Sequence, residues 1–279
     1  MGTLYVVATP LGNLEDMSPR AVRVLREAHL IAAEDTRHTK KLLTHFDIHT
    51  ELTSYFEHNQ RSKLDYILKK LEEGDVALVS DAGTPGVNDP GYELIRAALD
   101  SGFDVRPIPG PSAPIAALSV SGLPTDAFLY LGYLPHKRSE RRRFLQAVAD
   151  LPYTLIFLES PHRLLESLHD LLEVLGDRPA CIAREMTKMF EEFWRGPLHR
   201  AIPYFSTAPV RGEFTLVVGG APDRRPARWS AEALQAAIDQ ERRQGKPARQ
   251  IATELAGRSG WSKREIYARI HQPPETEEP

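Results

Sequence analysis

The sequence predicts an α/β protein: a parallel-sheet domain first, a second α/β domain after it, and a small helical module at the end. Three observations predict this. Val76-Ala77-Leu78-Val79 is an apolar run without polar alternation, as in a strand buried on both faces of a parallel sheet. It passes at once into small and turn-forming residues, Asp81-Ala82-Gly83-Thr84-Pro85-Gly86, and then into helical spacing at Tyr92, Leu94, Ile95, Ala98 and Leu99. The same succession of strand, loop and helix recurs along residues 1–113. Parallel strands place such loops at one carboxyl edge, where open α/β folds bind ligands, so Asp81 is the first candidate site residue.

In chain order, Leu4 to Ala8 is the first strand, and Thr9-Pro10-Leu11-Gly12-Asn13-Leu14 is the loop after it. With Gly12 as its single glycine, that loop lacks the three-glycine dinucleotide fingerprint. Ser18-Pro19 opens a helix carrying Ala21, Val22, Leu25 and Ala28. Leu30 to Ala33 is the second strand and runs into Glu34-Asp35-Thr36-Arg37, a charged cluster that either caps the next helix or faces a substrate. A weak strand near Leu52 precedes a helix opened by Asn59, and Asp89-Pro90 reads as the start of the helix after the Val76 to Val79 strand. Val105 to Ile108 is the next strand, and Pro109-Gly110-Pro111-Ser112-Ala113 turns into a helix whose free amides can hold a polar group.

The second domain, residues 114–222, has strands at Phe128 to Leu131, Tyr153 to Leu158, Ala180 to Ala183 and Glu213 to Val218. The run Lys137, Arg138, Arg141, Arg142, Arg143 is a solvated helix face or a phosphate contact. Glu159-Ser160-Pro161-His162-Arg163 ends one strand, with Ser160-Pro161 starting a helix; Arg184-Glu185-Met186-Thr187-Lys188 ends another. Residues 223–272 carry 11 Lys and Arg against 6 Asp and Glu and divide into three short helices, with Lys263 and Arg264 on the last. Helix-turn-helix proportions and this basic bias point to nucleic acid. Residues 273–279 read as a disordered tail.

Composition excludes several classes. With Cys181 as the single cysteine, an internal disulfide and a cysteine zinc cluster are excluded, which fits the cytoplasm. The N-terminus has neither the basic start nor the apolar length of a signal peptide or a membrane span. His45 and His49 have metal-pair spacing but no glutamate partner, and no nucleophile elbow or Walker loop is present.

Seven motifs in order carry a resemblance: Thr9 to Leu14, Glu34 to Arg37, Ser80 to Pro85, Pro109 to Ala113, Glu159 to Arg163, Ala183-Arg184-Glu185 and Gly212-Glu213-Phe214. Together they resemble the bacterial ribosomal RNA methyltransferases of the tetrapyrrole methylase superfamily, the class III methyltransferases. The resemblance implies two α/β domains with S-adenosylmethionine in a cleft between them, a homodimer, no metal, and 2'-O-methylation of a cytidine in 16S rRNA near the decoding centre. By motif position the cofactor meets Leu11, Asp81, Thr84, Ser112 and Ala113, with Leu158, Ala183, Phe214 and Thr215 closing over it. The chemistry of a ribose hydroxyl asks for a base or strong acceptor, for which Glu159, Glu185 and Lys188 are candidates. Arg37, Arg163 and Arg184 are candidate phosphate clamps, with Arg141, Arg142, Lys263 and Arg264 as further RNA contacts. Each of these charged groups can instead belong to a structural ion pair. A small-molecule methyltransferase and a catalytically silent RNA-binding protein of this fold are the competing readings; the first loop, less glycine-rich than in tetrapyrrole enzymes, disfavours the former.

Overall fold

The computed structural model describes residues 2–56, 60–207, 211–222 and 228–271. The chain divides into two compact units, Met1–Ala221 and Pro222–Pro279. The first unit holds two sheets. Strands β1 (Thr3–Val7), β2 (Leu30–Ala33), β3 (Leu52–Ser54), β4 (Val76–Val79) and β5 (Asp104–Ile108) form an all-parallel sheet in the order β3-β2-β4-β1-β5. Four helices cover it: α1 (Pro19–Glu27), α2 (Thr36–His45), α3 (Gln60–Glu73) and α4 (Tyr92–Asp100).

Side chains of a strand alternate faces, and the core splits accordingly. Ile31, Ala33, Ala77 and Val79 pack with α1 and α2 residues such as Leu25 and Leu42, while Leu30, Ala32, Val76 and Leu78 pack with Ile67 and Leu94 of α3 and α4. Both central strands are therefore buried on both sides, which is why they read as unbroken apolar runs. Ser18 caps α1 by accepting from the Ala21 amide, and Asp35 caps α2 by accepting from the Arg37 amide. Asp89-Pro90 does not start α4. Gly91 is the N-cap there, with φ of 150°, and Asp89 turns elsewhere. Asn59 lies outside the described residues.

After β5, α5 (Ala113–Ser119) leaves the first sheet and packs its Ala117 and Leu118 against Ile156, Cys181, Ala183 and Val217 of the second. That sheet comprises β6 (Phe128–Tyr133), β7 (Thr154–Glu159), β8 (Pro179–Arg184), β9 (Glu192–Pro197) and β10 (Phe214–Val218), ordered β6-β7-β10-β8-β9. Only β6 and β7 pair in parallel; β10 runs antiparallel to β7 and β8, and β9 antiparallel to β8. Its other face is covered by α6 (Arg138–Val148), α7 (Leu164–Leu175) and α8 (Leu198–Ser206). Helix α7 begins at Leu164 rather than at Ser160-Pro161. Strand β9 has no sequence signal of its own, because EFWRGP mixes charge, glycine and proline. Burial of Cys181 pushes its thiol pKa up, partly opposed by Arg195, so it is a small core residue.

The second unit is a three-helix module: α9 (Ala231–Arg243), α10 (Ala248–Ser259) and α11 (Lys263–Ile270) around Leu234, Ile238, Ile251, Leu255, Ile266 and Ile270. Helix α10 ends on Gly260 in the left-handed region, and Ser262 with Glu265 forms a capping box that starts α11. The Arg228 guanidinium lies 3.9 Å from the Trp261 ring centre, and the Trp261 indole N–H donates to the Trp229 carbonyl at 2.9 Å. The residues expected to form a disordered tail, 273–279, are outside the described residues, as are residues 223–227. Among the described residues no helix is long and apolar enough to cross a membrane.

Candidate active site

Because β1, β2, β4 and β5 are parallel, the loops that follow them gather at one edge. They are stitched together there. Thr9 and Gly83 exchange backbone hydrogen bonds at 2.9 and 3.0 Å, the Thr9 hydroxyl donates to the Ser80 carbonyl at 3.1 Å, and the Thr84 hydroxyl donates to the Pro111 carbonyl at 3.1 Å. Gly83 sits at φ of 81°, a conformation that L side chains rarely adopt. Against this floor stands the edge formed by β6, β7 and β10. The two enclose a cavity of about 330 Å3, walled on one side by Leu11, Asp81, Thr84, Ser112 and Ala113 and on the other by Tyr130, Tyr133, Leu158, Met186, Phe214 and Thr215.

The cavity is acidic. Glu34, Asp81 and Asp89 all line it. An Asp81 oxygen accepts from the Asp35 amide at 3.1 Å, and a Glu34 oxygen accepts from the Asp81 amide at 3.3 Å. Burial pushes Asp89 up to about 6, with the Glu34 charge adding to the shift, a Ser80 hydrogen bond opposing it and the Asp81 charge adding again. Burial also raises Glu34, against the Asp81 amide bond and with the charges of Asp81 and Asp35. Such a constellation disfavours a further anion and favours a cationic or hydrogen-bond-donating group.

A second cavity of about 510 Å3 adjoins the first, sharing Leu11, Asp81, Ala82 and Glu213 with it and adding His38 and Lys41 of α2, the first loop, and Lys188. The segment after β8 shapes this wall. Glu185 and Thr187 hold φ of 48° and 66°; positive φ at residues other than glycine costs on the order of 1–3 kcal/mol each and clusters at functional sites. The Lys188 ammonium donates to Glu185 at 3.0 Å and to Glu213 at 3.1 Å. Burial works against the Lys188 charge, but these two bonds outweigh it and hold its pKa above the ordinary lysine value. Glu185 is likewise burdened by burial yet held below the usual carboxylate range by Lys188 and the Glu213 amide. Gly12 allows the close approach: a Cβ there would stand 2.3 Å from Lys188 Cγ. The Asn13 amide also donates to the Thr187 hydroxyl at 3.1 Å, so the first loop and the β8–β9 segment are clasped together.

Of the residues expected around a cofactor, Leu11, Asp81, Thr84, Ser112, Ala113, Leu158, Phe214 and Thr215 line the first cavity. Ala183 does not. It is buried in the core behind the wall, opposite Thr215 in the β8–β10 register. Among the expected bases, Glu159 is 2% exposed, and its carboxylate accepts from the Ser160 amide, from Arg163 and from the Ser167 hydroxyl. A fully engaged, sealed carboxylate is a structural clamp, so Glu159 is corrected from base to anchor of the β7–α7 turn. Arg163 is its partner and also donates to the Leu134 carbonyl. Arg141 is corrected in the same way: it is wholly buried, its Nε donating to Asp170 at 2.7 Å, and it ties α6 to α7. Arg142 pairs with Glu173 on the same helix pair. Arg184 donates to the Arg211 carbonyl at 2.8 Å and lies over the Phe214 ring.

Arg37 remains 88% exposed while pairing with Asp35. Lys263 and Arg264 are exposed on α11 of the second unit. Sequence reasoning offered Glu34 only within its charged cluster, as a cap or a substrate-facing group, and left out Asp89, Tyr130, Tyr133, Met186, Glu213, His38 and Lys41 as site residues. Asp89 carried a misleading signal, since an acid before proline imitates a helix start.

The tetrapyrrole (corrin/porphyrin) methylase family model matches residues 3–202. A ribosomal RNA small subunit methyltransferase I from Halalkalibacterium halodurans is 46% identical over 97% of this chain and 95% of its own length. Another from Synechocystis is 48% identical over 96% of each chain, and one from Pseudomonas aeruginosa is 51% identical over 84% of each. Among solved structures, the methyltransferase CobJ superposes with a TM-score of 0.61 at 22% identity, covering 81% of this chain and 97% of its own. Uroporphyrin-III C-methyltransferase from Thermus thermophilus, complexed with S-adenyl homocysteine, superposes with a TM-score of 0.54 at 22% identity, covering 78% and 97%. At that identity the structural likeness establishes the fold. The chain therefore belongs to the tetrapyrrole methylase family, in the group of ribosomal RNA small subunit methyltransferase I.

Proposed function

We propose that this protein transfers the methyl group of S-adenosylmethionine to the 2'-hydroxyl of a cytidine in 16S rRNA, acting as a cytoplasmic homodimer. The reading is carried by identity of 46% across 97% of the chain to a protein named for small-subunit rRNA methylation. In this reading residues 1–113 and 114–222 are the two domains walling the cleft, and 223–272 is a second grip on the RNA.

The first cavity suits the donor. Its volume of about 330 Å3 falls within the roughly 300–1,000 Å3 of small-molecule sites. Leu11, Ala113, Leu158 and Phe214 offer apolar surface to a nucleoside ring, and Glu34, Asp81 and Asp89 suit the donor's cationic groups. When bound, S-adenosylmethionine supplies an electrophilic methyl on a sulfonium and leaves as a neutral thioether. A ribose entering by the second cavity meets the first at the wall shared by Leu11, Asp81, Ala82 and Glu213. Asp81 and Glu213 are the two carboxylates on that wall, placed to accept the hydroxyl proton; Lys188 stays charged and holds Glu213 and Glu185 in position. Fixing donor and acceptor in line can supply roughly 7–11 kcal/mol of the barrier reduction.

The test is methyl transfer from labelled donor to small ribosomal subunits lacking the modification, with the product mapped by nuclease digestion and mass spectrometry. A single 2'-O-methylcytidine is expected. Label on a tetrapyrrole but not on RNA would overturn the substrate, and no donor binding in calorimetry would overturn the enzyme.

A further inference from the structure

Next to the second cavity the chain makes two successive turns. The Lys188 amide donates to the Glu185 carbonyl at 3.1 Å, and the Glu191 amide donates to the Lys188 carbonyl at 3.1 Å. Met189 and Phe190 occupy the two corner positions of the second turn, 90% and 72% exposed. Turn corners ordinarily carry glycine, proline, asparagine or aspartate. Here they carry a thioether and an aromatic ring in open solvent. The turn is held: the Thr187 amide donates to a Glu191 oxygen at 2.6 Å, and Lys188 is anchored at both Glu185 and Glu213. Lys188 lines the cavity that His38 and Lys41 also face, and α2 is rich in cations (Arg37, His38, Lys40, Lys41) and has no acidic residue. A held turn with an aromatic tip, beside a mouth where the cations of α2 face the carboxylates of Asp81 and Glu213, offers single-strand nucleic acid a stacking platform and, on the α2 side, phosphate-neutralising charge.

We propose that Phe190 is a positioning residue that stacks on the nucleobase neighbouring the target, filling the gap left when the target nucleotide is turned out of its stack. The inference rests on the RNA methyl transfer proposed above. Where the target nucleotide is turned out so that its ribose enters the cleft, its base loses its stacking partners, and that unstacking is the cost a platform offsets.

The experiment compares wild type, Phe190→Ala and Phe190→Trp on a structured RNA hairpin carrying 2-aminopurine beside the target, and on a short unstructured strand of the same sequence. Phe190→Ala is expected to raise KM on the hairpin about tenfold or more, equivalent to about 1.4 kcal/mol, and to abolish the 2-aminopurine fluorescence change. Phe190→Trp restores both, the loss shrinks on the unstructured strand, and S-adenosylmethionine affinity stays at the wild-type value. Wild-type kinetics for Phe190→Ala on the hairpin overturn the proposal. So does a change of oligomeric state in light scattering with RNA parameters per site unchanged, because the tip then covers a second copy of the chain. Wild-type protein that methylates neither these RNAs nor small ribosomal subunits sinks the proposed function itself, a result separable from both.

Discussion

Replacing Asp89 by asparagine tests the electrostatics of the first cavity. Burial and the neighbouring charges of Glu34 and Asp81 lift Asp89 from an ordinary 3.8 to about 6. A carboxyl whose folded-state pKa is raised favours the protonated form on folding, so its burden on stability is absent below about pH 4, grows between about pH 4 and 6, and is full above that. About two units correspond to roughly 3 kcal/mol for a sealed group; Asp89 keeps partial solvent contact, and screening reduces this to about 1–2 kcal/mol. Asparagine has nearly the same shape and keeps a partner for Ser80 without the charge. In urea unfolding followed by circular dichroism, the variant should match wild type near pH 4 and exceed it by about 1–2 kcal/mol at pH 8. The same substitution should weaken binding of a cationic donor at pH 8 while sparing the neutral thioether product, read by calorimetry. A stability difference that does not change between pH 4 and pH 8 would refute the reasoning.

Other predictions follow from particular contacts. Arg141→Ala leaves Asp170 buried with its closest partner gone; a loss of about 3–5 kcal/mol in chemical denaturation is expected, with unchanged RNA affinity per folded molecule in filter binding. Gly212→Ala forces a side chain onto φ of 95° and within 2.4 Å of Glu185; displacement of Glu185 from Lys188 should cost on the order of 1–3 kcal/mol and lower kcat more than it raises KM for the donor. Deleting residues 223–279 should weaken binding to small ribosomal subunits and flatten its dependence on salt, while calorimetry shows the donor affinity intact.

The parallel sheet and the location of its loops are legible in the residues alone. Strands buried on both faces must be apolar at every position, so Leu30 to Ala33 and Val76 to Val79 announce themselves locally. Once the strands are parallel, Leu11, Asp81, Thr84 and Ser112 have to share one edge. The helices of the second unit were equally legible, since each carries its own apolar spacing and the last its own capping box.

Which charged side chains are sealed in ion pairs and which stand open depends on packing between distant elements. Glu159 ends one strand and Glu185 directly follows another, and the two look alike in sequence. One is sealed by Ser160, Arg163 and Ser167, while the other stands on a strained segment beside a cavity. Arg141 and Arg143 sit two residues apart in one basic run, yet helix rotation buries the first against Asp170. Asp89, written like a helix cap, becomes a cavity carboxylate because Gly91 starts the helix instead. Local spacing sets which way the backbone goes; whether a charge meets water, a partner or a ligand depends on elements far away in the chain.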